Sequence, residues 1–443
     1  MKIGMSGAVA VNEMKNIGTP IHDFLSSYAQ SGTVRLHMPG GKGLAYPFDI
    51  TEISGADELY ESSGIIRESE RNAAALFGAA ETCYSCGGAT LAIQAMLYAA
   101  REITGKRCIA AGRYSHKSLL NAAVLLGLDI DWIYPDEFLG CRLSPDAVRA
   151  AVNDGTAAVF VNSVDYLGGE CDIAAVSAVC RENGSLLLTD NAHGAYKVFT
   201  GDHPLPLGAD MTADSAHKTL PAITGTAYLH LADSRYYEPA KAGMALFGSS
   251  SPSYLMLDSL DLCNMYISEK RAEALEAAER VSGLKRELSA EGIPLCVSDA
   301  MRITVDANGM GYTGAELARI MRERGAECEM SGNRYVVLLF SVVQPENDFR
   351  RTRDILLSIP RLKPVEPFVI PVIRPDKVMT VREAFLSRKE TIPAERAAGR
   401  ICAGVHSPCP PCVPLVMPGE RISKELADVL SGYYGLPDIV VVR

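Results

Sequence analysis

The 443-residue sequence has no run of apolar residues approaching the roughly 18 needed to span a bilayer, no excess of positive charge and no internal repeat. Lysine and arginine number 43 against 53 aspartates and glutamates, a formal net charge of −10. That balance argues against a nucleic acid or an anionic membrane as the main partner. Charged residues make up only 22% and apolar residues 48%, so a largely disordered chain is excluded and a sizeable core is expected. Cysteine is sparse, 12 in the whole chain, and Cys108, Cys180 and Cys328 stand in apolar stretches. Buried, reduced thiols in a cytoplasmic protein are the expectation. Residues 3–11 are apolar after Lys2, and Ala8-Val9-Ala10 mimics a cleavage site. The stretch is shorter than a signal sequence needs, and Glu13 and Lys15 come directly after it, so export is not expected.

The length suits about two to three domains of roughly 150 residues each. Residues 107–111, 157–161, 186–188 and 225–231 are short, apolar and bounded by Gly, Asn, Asp or Lys, the pattern of buried strands. Helical patterns lie between them, over 90–103, after Ser144-Pro145-Asp146 (an N-cap followed by proline), and from Asp172 to Asn183-Gly184. Strands alternating with helices predict a mostly parallel sheet covered on both faces. Residues 253–292 read as one long helical region. After it the rhythm changes to strand (301–305), helix (313–325), a strand pair turning at Ser331-Gly332-Asn333 and a helix (346–359), a separate α+β layer. Prolines crowd the chain beyond Lys363, where loops and short strands are expected. The predicted division is an N-terminal segment (1–69), a large α/β domain (70–300) and a small C-terminal domain (301–443).

Four segments carry chemistry. Ser85-Cys86-Gly87-Gly88-Ala89-Thr90 opens a helix, where glycines allow close approach and free N–H groups attract an anion such as phosphate. By itself the same signal fits a plain turn. Asp190 ends a buried strand, the place where open α/β sheets bind ligands, although a capping aspartate looks the same. Lys218, in Ser215-Ala216-His217-Lys218-Thr219-Leu220-Pro221, is a nucleophilic amine if desolvated and an ordinary lysine if not. His116, in Gly112-Arg113-Tyr114-Ser115-His116-Lys117-Ser118, either lies flat on a planar ligand or caps a loop. Taken together, a phosphate-binding helix start, a strand-end acid and a later lysine match the order of a pyridoxal 5′-phosphate site.

Here the sequence resembles the Orn/Lys/Arg decarboxylase family of fold-type I pyridoxal phosphate enzymes, in its shorter bacterial form. The resemblance runs over residues 36–258, with an echo in Val413-Pro414-Leu415-Val416-Met417-Pro418-Gly419-Glu420. Its most specific piece is Ser215-Ala216-His217-Lys218-Thr219-Leu220-Pro221-Ala222 with Thr224. Supporting pieces are 113–118, Asp190 with Ala192-His193-Gly194, Ser250-Ser251-Pro252-Ser253-Tyr254, His37-Met38-Pro39-Gly40 and Asp49-Ile50-Thr51-Glu52-Ile53. The resemblance implies an aspartate aminotransferase-like large domain and decarboxylation of arginine, lysine or ornithine to the amine and CO₂. It implies Lys218 as the Schiff-base lysine, Asp190 on the ring nitrogen, and Ala192 and His116 on opposite ring faces. Gly88, Ala89 and Thr90 hold the phosphate with Ser215 and His217 nearby, and His193 joins the cofactor-binding set. A homodimer with the site at the subunit interface is implied as well. The roughly 70 residues before the large domain leave no room for the long N-terminal domain of larger bacterial decarboxylases.

Departures from the family concern Ala89, where a hydroxyl residue is usual, Asn191, where an acid is usual, and Gly41, where a histidine is usual. In Asn162-Ser163-Val164-Asp165-Tyr166-Leu167-Gly168 the family shows Ser-Pro-Thr-Tyr, which makes Ser163 and Asp165 candidate substrate contacts. Another fold-type I reaction, by an aminotransferase or a lyase, and a non-catalytic relative are the alternatives. Retention of both Lys218 and Asp190 speaks against the latter. The pairs Cys83-x-x-Cys86 and Cys409-x-x-Cys412, near Cys402 and His406, raise a zinc reading. Their separation, and the place of Cys86 in the phosphate loop, favour no metal.

Overall fold

The computed structural model describes residues 17–38, 45–138, 140–367, 372–406 and 414–443. The apolar stretch 3–11, the Pro39-Gly40-Gly41 motif and the Cys409/Cys412 pair lie outside these residues. Seven strands form the main sheet: β1 (Glu81–Ser85), β2 (Cys108–Gly112), β3 (Asp129–Ile133), β4 (Thr156–Asn162), β5 (Leu186–Asp190), β6 (Met211–Asp214) and β7 (Ala227–Leu231), in the order β1-β7-β6-β5-β4-β2-β3. β6, β5, β4, β2 and β3 are parallel, and β7 is antiparallel to both β6 and β1. β1 therefore points the same way as β6, and six strands bring their carboxyl ends to one edge. The expected strands at 107–111, 157–161, 186–188 and 225–231 are present, the last of them running against the others. β1, β3 and β6 were not anticipated.

Both faces of the sheet are buried, which explains why β2, β4, β5 and β7 are largely apolar rather than alternating. Ile109, Ala111, Phe160 and Leu188 pack with Ala92, Met96 and Leu97 of the helix Gly88–Thr104 on one face. Ala110, Val159, Val161 and Leu187 pack with Val176, Val179 and Cys180 of the helix Ile173–Asn183 on the other. The long helical region is two helices, Tyr254–Glu269 and Arg271–Ala290, because Lys270 leaves helical geometry at φ −113° and ψ 27°. Among the described residues no helix is long and apolar enough to cross a membrane.

The predicted domain boundaries fall within paired or packed elements. The division at 69/70 falls inside the helix Ile65–Phe77, whose buried Glu70 accepts from Tyr84 N of β1 at 2.9 Å and from Lys241 Nζ at 2.6 Å. That helix also packs on the helix Pro20–Gln30, so the N-terminal segment belongs to the large domain. The division at 300/301 cuts a hairpin, since β8 (Leu295–Cys296) pairs with β9 (Arg302–Asp306). These two join β10 (Met330–Ser331) and β11 (Tyr335–Leu339) in an antiparallel sheet of order β10-β11-β9-β8, covered by the helices Gly314–Glu323 and Glu346–Ser358. This is the α+β layer read from the sequence.

Beyond that layer the chain builds a second unit with its own core of Cys402, Val416, Ile422, Leu426, Leu430, Ile439 and Val441, closed by the antiparallel pair of β12 (Lys389–Pro393) and β13 (Asp438–Val442). It docks on the large domain through Arg113, at the end of β2. The Arg113 guanidinium meets Glu420 in a two-pronged pair at 2.6 and 2.8 Å, donates to Leu415 O at 2.8 Å, and stacks on Trp132 and Tyr134. Both partners are out of water. Removing one member of such a pair strands a buried charge. Glu420→Ala should therefore lose about 3–5 kcal/mol in urea unfolding; an unchanged midpoint would mean that the C-terminal unit is held elsewhere.

Candidate active site

The shared carboxyl edge of the strands is where a ligand reaches several loops at once, and the functional segments assemble there. They surround a cavity of about 230 Å³ lined by Gly88, Ala89 and Thr90, by His116, Asp190, Ala192 and His193, and by Ser215, His217 and Lys218. Tyr114, Asn162, Asp165, Tyr166 and Met330 complete much of the wall. Every residue expected to hold the cofactor thus faces one space.

The helix start is built by glycines. Gly88 has φ +64°, a conformation that glycine adopts without strain, and turns the chain from β1 into the helix. Its amide donates to Gly225 O at 2.7 Å, and the Gly87 amide donates to Ser85 Oγ at 3.2 Å. The amides left open at the helix start are those of Ala89 and Thr90, which meet no acceptor among the described residues.

Asp190 ends β5 and is buried. Burial pushes its pKa up, against the lowering effects of the Ala192 amide, which donates to Oδ1 at 3.0 Å, and of the Lys218 charge. Lys218 rises on the short helix Ala216–Thr219 after Ser215, and its Nζ lies 3.0 Å from His193 Nε2 and 5.9 Å from the centre of the Tyr166 ring. His193 is held neutral: burial, then the Lys218 charge, pushes its pKa well below the usual value. A neutral ring accepting from Lys218 carries its own proton on Nδ1, and that buried atom has no partner among the described residues. His116 caps the helix Lys117–Leu126, with Nδ1 accepting from Ser118 N at 3.2 Å, so it both caps and lines the cavity. Burial and the nearby Lys218 push its pKa down to about 4, which leaves a flat uncharged ring. His217 Nδ1 donates to Thr226 O at 3.0 Å.

Of the two candidate substrate contacts, Asp165 lines the cavity and Ser163 does not. The Ser163 Oγ donates to Asn191 Oδ1 at 2.5 Å. Asp165 reaches the cavity wall, and its carboxylate accepts from Leu167 N at 2.9 Å and Gly169 N at 2.8 Å of its own loop and from Cys141 N at 3.2 Å. Tyr166, Asn162 and Met330 were missed. The first two lie in the segment flagged for its departure from the family, a signal that was available. Met330 arrives from β10, which no local pattern reveals. The cysteine and histidine of the zinc reading are engaged with backbone: Cys402 Sγ donates to Gly404 O at 3.1 Å, and His406 Nε2 accepts from Val440 N at 2.9 Å. Burial pushes the Cys86 and Cys402 thiols up to about 12.

A sheet of this order, with an acid and a lysine facing a helix start across its carboxyl edge, is that of a fold-type I pyridoxal phosphate enzyme. The orphaned His193 Nδ1, the unmet amides of Ala89 and Thr90, and the buried Asp190 fit that group: a polar substituent, a phosphate and a cationic ring nitrogen are what they lack. Residues 19–293 match the major domain of Orn/Lys/Arg decarboxylases and residues 366–433 match the C-terminal domain. The chain belongs to the Orn/Lys/Arg decarboxylase family and is a pyridoxal phosphate-dependent decarboxylase. It is 28% identical to the uncharacterized protein YaaO of Bacillus subtilis over 94% of both chains, and 27% identical to that organism's arginine decarboxylase over 92% of both. Among solved structures it resembles the lysine decarboxylase LdcF of Francisella novicida, with a TM-score of 0.78 at 15% identity over 97% of this chain and 82% of that one.

If Asp165 serves its loop, Asp165→Ala should lower stability by about 2 kcal/mol or more, since one buried and two half-buried amides lose their acceptor. Chemical denaturation measures this, and a variant as stable as the parent would make Asp165 a ligand contact again.

Proposed function

We propose that this enzyme removes the α-carboxylate of a basic amino acid (arginine, lysine or ornithine) to give the amine and CO₂. The observation that carries the reading is that Lys218, Asp190 and the unmet amides of Ala89 and Thr90 surround one cavity. The relatives named arginine decarboxylase and lysine decarboxylase support a basic substrate.

When bound, pyridoxal phosphate supplies an aldehyde for an amino group and a protonated ring that accepts the electron pair left as CO₂ departs. In this reading Lys218 is its covalent partner. Ala89 and Thr90 bind the phosphate through their amides, with Ser215 and His217 beside it. Asp190, out of water and short of hydrogen bonds, keeps a proton on the ring nitrogen, because a facing cation is what stabilises its charge. Ala192 and His116 flank the ring, the latter uncharged so that it does not compete with that proton. His193 accepts a hydrogen bond from Lys218 Nζ and so fixes where the amine points, while its Nδ1–H is free to meet a substituent of the ring. Tyr166 covers Lys218 and limits water there.

The working form in this reading is a homodimer with the site at the subunit boundary. Val34, Leu36 and Met38, 76–88% exposed on one extended segment, offer the apolar surface that a second copy covers. Every described cysteine is a free thiol, which fits a cytoplasmic location.

Lys218→Ala should abolish the visible absorbance of the purified protein together with amine production; a surviving band would remove the assignment. Asp190→Asn should keep the fold and lower turnover by about 100-fold or more, the scale of one preorganised charge at a reacting centre. Incubation with a panel of amino acids, with mass spectrometry of the products, decides the substrate: keto acids in place of an amine would overturn decarboxylation.

A further inference from the structure

One strand over from Asp190 a second carboxylate is fully buried. Asp214 ends β6 and does not line the cavity. It accepts from Asn191 Nδ2 at 3.0 Å and from His203 Nε2 at 2.9 Å, and His230 Nε2, which has no hydrogen-bond partner, stands 4.0 Å from the same oxygen as His203. Among the described residues these two histidines are the basic side chains within 4.0 Å of its carboxylate, and no lysine or arginine pairs with it. His230 is neutral, its pKa pushed down to about 3 by burial.

Asn191 comes directly after Asp190 and has one donating and one accepting end. With Nδ2 committed to Asp214, Oδ1 is left for the Ser163 hydroxyl, which also lies 3.3 Å from the carbonyl oxygen of Asp190. The same turn is gripped through its backbone: Asn191 N donates to Ala213 O at 2.9 Å, and Ser163 N donates to Asp190 O at 3.0 Å. Asp214 thus sets the facing of Asn191, and Asn191 ties the end of β5 to β4. Electrically, two carboxylates are buried on adjacent strand ends, and the Asp214 charge adds to burial in pushing up the pKa of Asp190. Two such anions repel until a cation is brought to them.

We propose that Asp214 is a positioning residue for the ring nitrogen of the cofactor: through Asn191 it fixes the turn that presents Asp190, and its buried charge adds to that of Asp190 where the ring cation is held. This rests on the reading of Asp190 as the ring-nitrogen partner. The position where the family carries an acid, occupied here by Asn191, is bonded to an acid on the neighbouring strand, so amide and carboxylate form one pair across β5 and β6.

The test strips the holoenzyme of pyridoxal phosphate and titrates the cofactor back, monitoring the visible absorbance, for the wild type, Asp214→Asn, Asn191→Asp and the double swap Asn191→Asp/Asp214→Asn. Both single variants should bind pyridoxal phosphate about tenfold more weakly, the scale of one hydrogen bond to a charged group. The double swap, which restores one amide facing one carboxylate, should regain most of that loss. A hub that only holds the fold would lower the melting temperature of the apoprotein without this pattern of rescue. Wild-type affinity in Asp214→Asn, or a double swap no tighter than the single variants, overturns the proposal. If Asp214→Asn does not fold, Asn191→Asp and the double swap give the same comparison. A wild type that binds no pyridoxal phosphate overturns the reading of the whole site; a wild type that binds, with a single variant that binds equally, overturns this inference alone.

Discussion

Asp190 holds its carboxyl out of water with one backbone amide, that of Ala192, donating to it. A charge kept in that state is tolerable only if something positive is placed against it. The surrounding architecture supplies the means. Six strands deliver their ends to one edge, so the acid, the lysine after β6 and the open helix start after β1 share one cavity although they are far apart in the chain. The three histidines in the wall are neutral for the same reason that Asp190 is strained: low water content disfavours their charged forms. Lys218 is the cation that the cavity brings to Asp190.

Much of this arrangement was readable in advance where the chemistry is local. The apolar runs that became β2, β4, β5 and β7 needed only their boundaries, and the helix start at Gly87-Gly88 announced itself through glycine. The strands that escaped notice have physical excuses. β6 is four residues ending in Asp214 and β3 is Asp-Ile-Asp-Trp-Ile, so neither reads as an apolar run. β1 lies against β7 with Thr82 bonded to His230 at 2.9 Å, a polar pairing across strands that no single stretch of sequence displays. Met330 is tertiary by nature, arriving in the cavity from β10 of the smaller sheet.

Ser163 and Asp165 show how existing hydrogen bonds bear on a reading made from residue type. A carboxylate at the ligand-facing end of a strand looks like a substrate contact, and here Asp165 already accepts from the amides of Leu167, Gly169 and Cys141, while the Ser163 hydroxyl donates to Asn191. In both cases backbone or side-chain donors and acceptors had first claim. The single C-terminal domain expected from the changed rhythm divides for a similar reason. The α+β layer shares its core with the N-terminal helices, whereas the residues around Cys402 and Ile439 close a core of their own and join the rest through Arg113 and Glu420.

The antiparallel seam in an otherwise parallel sheet has a kinetic side. β1 finds its partner only in β7, with Glu81 paired to Leu231 and Ser85 to Ala227, so the first strand made waits for the last. A chain emerging from the ribosome therefore carries β1 and the glycine turn without a neighbour while β2 to β6 are being made. Closure of so long a loop is slow, and a strand with unpaired edges is prone to wrong partners during the delay. The late docking of β7 that completes the sheet also brings Gly225 to the amide of Gly88, so the anion-binding turn acquires its final shape at that same late moment, and nascent chains stopped before it have no finished place for a phosphate.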